Sequence, residues 1–317
     1  MASSGPTRIR TLRGNDLPAV LSVWNRTLTR NPISEDRFVR IVLADPDYRP
    51  GDGSGFLVAT RNDEPIGFVR AIIRHWPNDR LGLEPDVGWI PYFAVDPAHR
   101  RTGVGSLLLQ SALDFFRRHG RKRVWVCGTT TSAPGSLRPG VDEEAYPAAR
   151  PLLEEHGFVV DQYGFSMARS IVDFDVEEHR RAAWDSGPDI AVSTLTPDRV
   201  DDFLAFVAEA LPGAWCLAGR AKVQSGRLHE ILIATLDGRI VGYCQWEGEH
   251  FGPFGVSPAA RNRKVGAKMF TEAVQRIREA DGRTVWFNWA DENAKRFYDR
   301  FGLEVTRRFA ILRKDIG

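Results

Sequence analysis

Cysteine is scarce in this sequence. Cys127, Cys216 and Cys244 are the only three in 317 residues, they lie far apart, and no Cys-x-x-Cys pair occurs. An odd, scattered set excludes a disulfide framework and a zinc ribbon and fits a reducing compartment. Long apolar runs are missing too, so no membrane-spanning helix is expected. The opening MASSGPTRIRTL lacks the apolar centre of a signal peptide. These absences predict a cytoplasmic protein with no metal and no membrane partner. Excess charge is the third absence. A formal net charge of +2 is too small for a chain that wraps a polyanion, so no nucleic-acid partner is expected. Lysine is also rare, only six residues, which we read as codon usage in a GC-rich genome rather than as chemistry.

What the sequence does have is repetition. A 43% apolar content with 10% aromatics is enough for packed cores, and the length suggests two domains. IRTLRGNDLPAVLSVW (9–24) matches VSTLTPDRVDDFLAFV (192–207). LVATRNDEPIGFV (57–69) matches LIATLDGRIVGYC (232–244), and FAVDPAHRRTGVG (93–105) matches FGVSPAARNRKVG (254–266). The order is the same in both halves, as in a tandem duplication. The offset shrinks along the chain, which places extra loops in the first half: before Phe56, around RHWPNDRLGLEPDVG, and around TTTSAPGSLRPGVDEEAYP. Each half reads β-α-β-β-β-α-β-α-β. Asp237-Gly238 marks a hairpin, and Thr196 with Pro197 suits a helix start. The pattern predicts two α/β domains, 7–171 and 190–317. Each has a mixed, mostly antiparallel central sheet with helices on both faces. The charged stretch 172–189, ending in Gly-Pro, is read as the linker.

The third repeat carries the strongest chemical signal. In the first copy a strand ends at Val95-Asp96-Pro97, and HRRTGVG leads into a helix whose apolar face is Leu108, Leu109, Ala112, Leu113, Phe115 and Phe116. A strand, a glycine loop and a helix N-terminus together favour an anion, because free backbone N–H groups and the helix dipole converge there. Arg100 and Arg101 add charge at its mouth. A third glycine and a Lys-Ser/Thr pair are both missing, so the loop is neither a dinucleotide fingerprint nor a Walker loop.

Arg100-x-x-Gly103-x-Gly105 after a Val-x-Pro strand end resembles the signature of the GNAT acetyltransferase superfamily, and the resemblance spans both halves. It implies that acetyl-CoA is the co-substrate. The pyrophosphate would then bind the loop of Arg100, Arg101, Thr102, Gly103, Val104, Gly105 and Ser106. The pantetheine arm would pass between splayed parallel strands ending near Val95 and Cys127. The second copy aligns as Val256 followed by Arg261, Asn262, Arg263, Lys264, Val265, Gly266 and Ala267, with lysine in place of the first glycine. Left-handed backbone at that lysine costs about 1 kcal/mol, too little to abolish binding. Its cations are either a solvated basic face or further phosphate contacts.

Near the end, DENAKRFYDRFGLEV resembles the family pattern through Asn293, Phe297, Tyr298 and Gly302. The resemblance implies that Tyr298 protonates the departing thiolate and that Asn293 contacts the cofactor arm. A packing role for Tyr298 stands beside that reading. The matching first-half positions, Ala148 and Leu153, can do neither job. For the base, Glu247, Glu249 and His250 cluster at the start of the cofactor strand, and Glu249 is taken as the catalytic candidate. An oxyanion donor is expected on the backbone around Phe254–Val256. The sequence therefore predicts an acetyl-CoA-dependent N-acetyltransferase. It would act on a primary amine of a small molecule, an amino sugar being one candidate, by direct attack in a ternary complex. The chain is expected to be a monomer or homodimer. The alternative is a non-catalytic acetyl-CoA-binding protein.

Overall fold

Strand pairing decides how this chain divides. The computed structural model describes residues 5–51, 55–77, 82–127, 139–184, 190–211 and 213–317. The two compact units are Met1–Phe165 with Arg307–Gly317, and Ser166–Thr306.

The first unit runs β1 (Thr7–Thr11), α1 (Leu17–Thr27), α2 (Glu35–Phe38), β2 (Phe56–Arg61), β3 (Glu64–Ile72), β4 (Val87–Val95), α3 (Val104–Arg118), β5 (Arg123–Val126), β6 (Val141–Asp142) and α4 (Ala149–Glu155) into β7 (Val159–Ser170). Period-two alternation sorts its side chains. Leu57, Ala59, Val69 and Ala71 face α3, where Leu108, Leu109, Ala112 and Phe116 form the buried stripe. Phe56, Val58 and Phe68 face α1, whose Val20, Val23 and Trp24 recur at helical spacing. Each buried phenylalanine stabilises by roughly 1.5–3 kcal/mol relative to exposure. The β2–β3 hairpin turns on Asn62 and Asp63, both left-handed (φ 52° and 65°).

The second half repeats the plan with α5 (Val176–Trp184), β8 (Ile190–Thr194), α6 (Val200–Ala210), α7 (Ala214–Gln224), β9 (Ile231–Leu236), β10 (Arg239–Glu247), β11 (His250–Val256), α8 (Val265–Glu279), β12 (Thr284–Ala290) and α9 (Glu292–Asp299), and ends in β13 (Glu304–Asp315). Asp237 and Gly238 form the expected hairpin turn at φ 49° and 74°. Thr196 does not cap with its side chain; Pro197–Arg199 forms a 3-10 turn ahead of α6. Sheet order is β1-β2-β3-β4-β5-β13 in the first unit and β12-β11-β10-β9-β8 in the second. The pairs β4–β5 and β11–β12 are parallel, against antiparallel hairpins around them.

The halves depart from chain order at their ends. β13 leaves the second half to lie antiparallel on β5, with Leu312 opposite Val126 and Lys314 opposite Val124. Ala310 and Leu312 are thereby buried in the first unit's core. The end of β7 counts with the second unit, where Ser166 Oγ donates to the Asn288 carbonyl at 2.6 Å. The stretch read as a linker holds α5, bound to α8 through Arg180 and Glu272 (2.8 Å). Residues 185–189, 78–81 and 128–138, which include parts of the linker and of two enlarged first-half loops, lie outside the described residues.

Candidate active site

The two loops follow one backbone path. In the first, Pro97–His99 makes a 3-10 turn, Arg100 is extended, Arg101 is left-handed at φ 61°, and Gly103 caps α3 at φ 82°. In the second, Pro258–Ala260 makes the turn, Arg261 is extended, Asn262 is at φ 61°, and Lys264 caps α8 at φ 61°. Lysine thus holds the glycine's conformation. Its Nζ donates to the Ala182 carbonyl at 2.8 Å in the last turn of α5, where a cation suits the negative end of the helix dipole. The arginines of both loops are exposed, Arg100 and Arg101 in one and Arg261 and Arg263 in the other, while Lys268, one turn into α8, is buried. Thr102 Oγ1 closes the first loop onto the His99 carbonyl (2.8 Å). The first-turn N–H groups, Val104 to Ser106 and Val265 to Ala267, have no intrahelical acceptor.

The second glycine of each loop serves packing rather than a left-handed turn. A Cβ on Gly105 would stand 3.0 Å from the Leu152 side chain of α4. On Gly266 it would stand 3.2 Å from Phe297 of α9 and 3.3 Å from Phe254.

Beside each loop the parallel strands part. β4 and β5 pair from Val87–Arg123 to Trp89–Trp125, and Val95 stands beyond the last of these pairs. β11 and β12 pair only at His250–Trp286, so Val256 and the second loop lie past the point of divergence. A bulge falls on the cofactor strand in both copies, at Ile90-Pro91 and at Gly252-Pro253. Proline is tolerated there because a bulge interrupts the ladder. Above Gly252 the space is open: an added Cβ would meet nothing within 4 Å.

Tyr298 lies on α9 in an aromatic nest, with ring centroids 4.4 Å from Phe287, 5.0 Å from Phe297 and 5.6 Å from Phe270. Burial pushes its phenol well above the ordinary range, so it is protonated at neutral pH. Its hydroxyl has no hydrogen-bond partner among the described residues. The matching Leu153 is buried in the first unit's core. Asn293 is exposed in the first turn of α9, which Asp291 caps through the Ala294 N–H (2.7 Å).

The three candidate bases part company. Glu249 Oε1 accepts the backbone N–H groups of Arg283 (2.8 Å) and Thr284 (3.0 Å), fastening the β10–β11 turn to the start of β12. The structure gives that carboxylate a structural task that the sequence did not reveal. Glu247 pairs with Arg227 (3.1 Å) and Lys222 (3.3 Å), and Arg227 foremost holds its carboxyl below the usual range. Lys222 is itself buried on α7 and bonded to Glu230 at 2.6 Å. His250 packs edge-on against Trp286 at 4.6 Å, and burial lowers its pKa. Sequence reasoning missed the Lys222–Glu230 pair and two exposed tryptophans, Trp215 and Trp286. The strand alternation in TVWFNWA was the one signal for Trp286. Among the described residues no group of His, Cys, Asp or Glu is placed to hold a metal ion.

Residues 20–138 match the acetyltransferase (GNAT) family model, and residues 227–305 match an acetyltransferase (GNAT) domain model. No curated protein matches. Among solved structures, a GCN5-related N-acetyltransferase from Sphaerobacter thermophilus is similar at 20% identity and TM-score 0.61, covering 98% of this chain and 96% of that one. A tandem GNAT protein from the clavulanic acid biosynthesis pathway is similar at 15% identity and TM-score 0.62, covering 98% and 99%. A fungal multi-domain GH3 β-N-acetylglucosaminidase with a GCN5-related glucosamine N-acetyltransferase region is similar at 17% identity and TM-score 0.75. That match covers 99% of this chain, which spans 38% of the fungal protein. Two matched regions, a doubled fold and tandem neighbours lead to one conclusion: the chain belongs to the GNAT acetyltransferase family, with two such domains in tandem.

Proposed function

We propose that the second unit transfers an acetyl group from acetyl-CoA to a primary amine of a small molecule by direct attack in a ternary complex. Tyr298 is the single observation that carries this reading. A phenol kept protonated by burial, on the helix that follows the diverging strand β12, suits a proton donor to a departing thiolate. In this reading Arg261, Asn262 and Arg263 with the N–H groups of Val265, Gly266 and Ala267 hold the pyrophosphate, and Lys264 sets the loop by its bond to α5. Val256 and Asn293 line the path of the pantetheine arm. The first unit, with its Arg100–Ser106 loop and Val95, binds acetyl-CoA without turning it over, because leucine stands at position 153.

An amino sugar is the acceptor class favoured here. Trp215 and Trp286 are 39% and 38% exposed, and aromatic faces suit the C–H faces of a sugar ring. The nearby carboxylates of Glu230 and Glu247 are already paired with Lys222 and Arg227, which leaves little free negative charge for a polyamine. The fungal structure with a glucosamine N-acetyltransferase region is in keeping with that acceptor. The test is thiol release from acetyl-CoA across glucosamine, aminoglycosides, polyamines and amino-acid derivatives. Glucosamine-like amines are expected to lead, and Tyr298→Phe to lower kcat at least about tenfold. An unchanged rate in that variant would move the acid elsewhere.

A further inference from the structure

We propose that His250 is the general base of the second unit, taking the proton of the acceptor amine on the α7 face of β11. The inference rests on the acetyl-transfer reading above. Its first support is direction. Glu247 reaches Lys222 on α7, and residues directly opposite in an antiparallel pair share a face. His250, opposite Glu247, therefore faces α7. Phe251, one residue on, packs on Tyr298 at 6.2 Å. Base and acid thus stand on opposite faces of one strand, two residues from the open space above Gly252.

The second support is availability. Glu249 is held by two backbone N–H groups, and Glu247 by Lys222 and Arg227. The imidazole of His250 has no hydrogen-bond partner among the described residues. The charged groups around it are Glu247 on β10 and Lys222 on α7, with Trp286 of β12 against its ring. Burial, with Lys222 acting in the same direction, outweighs Glu247, so the ring is neutral at neutral pH and can accept a proton.

The step balances. The amine nitrogen, its proton passing to a ring nitrogen of His250, forms a bond to the thioester carbon. The C–S bond then breaks, and the sulfur leaves with the electron pair and takes the proton of Tyr298. Proton return from the imidazolium to the phenolate through solvent resets the site.

The test uses the full chain with the best amine of the panel. His250→Gln keeps a neutral polar side chain without a basic nitrogen. It is expected to lose kcat roughly 10²-fold or more, with acetyl-CoA binding and thermal melting close to wild type. Wild-type kcat should fall on the acid side with a midpoint below the ordinary histidine value of about 6.5, and imidazole should partly rescue His250→Ala. An NMR titration of His250 reads the same low midpoint without turnover. If His250→Gln keeps the wild-type rate and acid limb, or if the loss appears only in Glu249→Gln, the assignment falls while acetyl transfer stands. A wild-type chain that acetylates none of the amines overturns the underlying reading and the base with it.

Discussion

Lys264 holds a backbone conformation that glycine adopts in the sister loop, at φ 61° against 82°. The left-handed cap costs a lysine about 1 kcal/mol, and the bond from its ammonium to the end of α5 returns a similar amount, about 0.3–1 kcal/mol. Two substitutions separate these terms. Lys264→Gly removes strain and contact together, so thermal melting should place its stability within about 1 kcal/mol of wild type. Lys264→Ala keeps the strain and loses the contact, and should be the less stable of the two by about 1 kcal/mol. The reverse order would mean that the left-handed cap carries no strain, whereas an alanine variant as stable as wild type would mean that the ammonium carries no weight. At the same scale, Glu249 shows why a carboxylate's role resists reading from sequence. Its partners are backbone N–H groups of Arg283 and Thr284, which every residue type but proline supplies.

Among the elements, the terminal helix of each half is seated by the second glycine of its loop. α9 brings Phe297 within 3.2 Å of where a Gly266 Cβ would stand, and Tyr298 follows Phe297 in the chain. Gly266→Val should therefore displace α9, costing about 1–3 kcal/mol by overpacking, and should lower kcat more than it weakens acetyl-CoA binding. Calorimetry with initial rates checks both, and equal losses in kcat and binding would place the damage in the loop instead. Elements of this sort were legible beforehand where the signal is local. Asp237-Gly238 announces its turn, and the apolar face of α3 is set by helical spacing. α5 was not, since VEEHRRAAW sits in a charged stretch that reads as linker. Its helix is held by Arg180 on Glu272 and by Phe174 on Phe270, contacts distant in sequence.

For the whole molecule, mixed strand directions with helices on both faces of the strands follow from a duplicated pattern. The exchange at the ends of the halves does not. The apolar run from Phe309 to Leu312 says that Ala310 and Leu312 are buried, but not against which neighbour. They complete the first unit, where Arg307 also reaches Asp142 at 2.9 Å. Ending the chain at Thr306 should leave β5 without that partner and bare part of the core around Val124 and Val126. Hydrogen exchange is expected to lose protection in β5 first and in α3 next, with a lower melting temperature. Protection equal to wild type would show that the first unit is self-sufficient.

The same exchange has a consequence for how the protein is made. β5 is among the earlier strands to leave the ribosome, and its partner in β13 lies near the other end of the sequence. At ordinary rates of translation an open sheet edge waits roughly 10–40 s for its last strand. An edge left unpaired that long is a template for mispairing with other nascent chains. Yield in a cell should therefore depend on holdase chaperones and on growth temperature more than the stability of the finished fold would suggest.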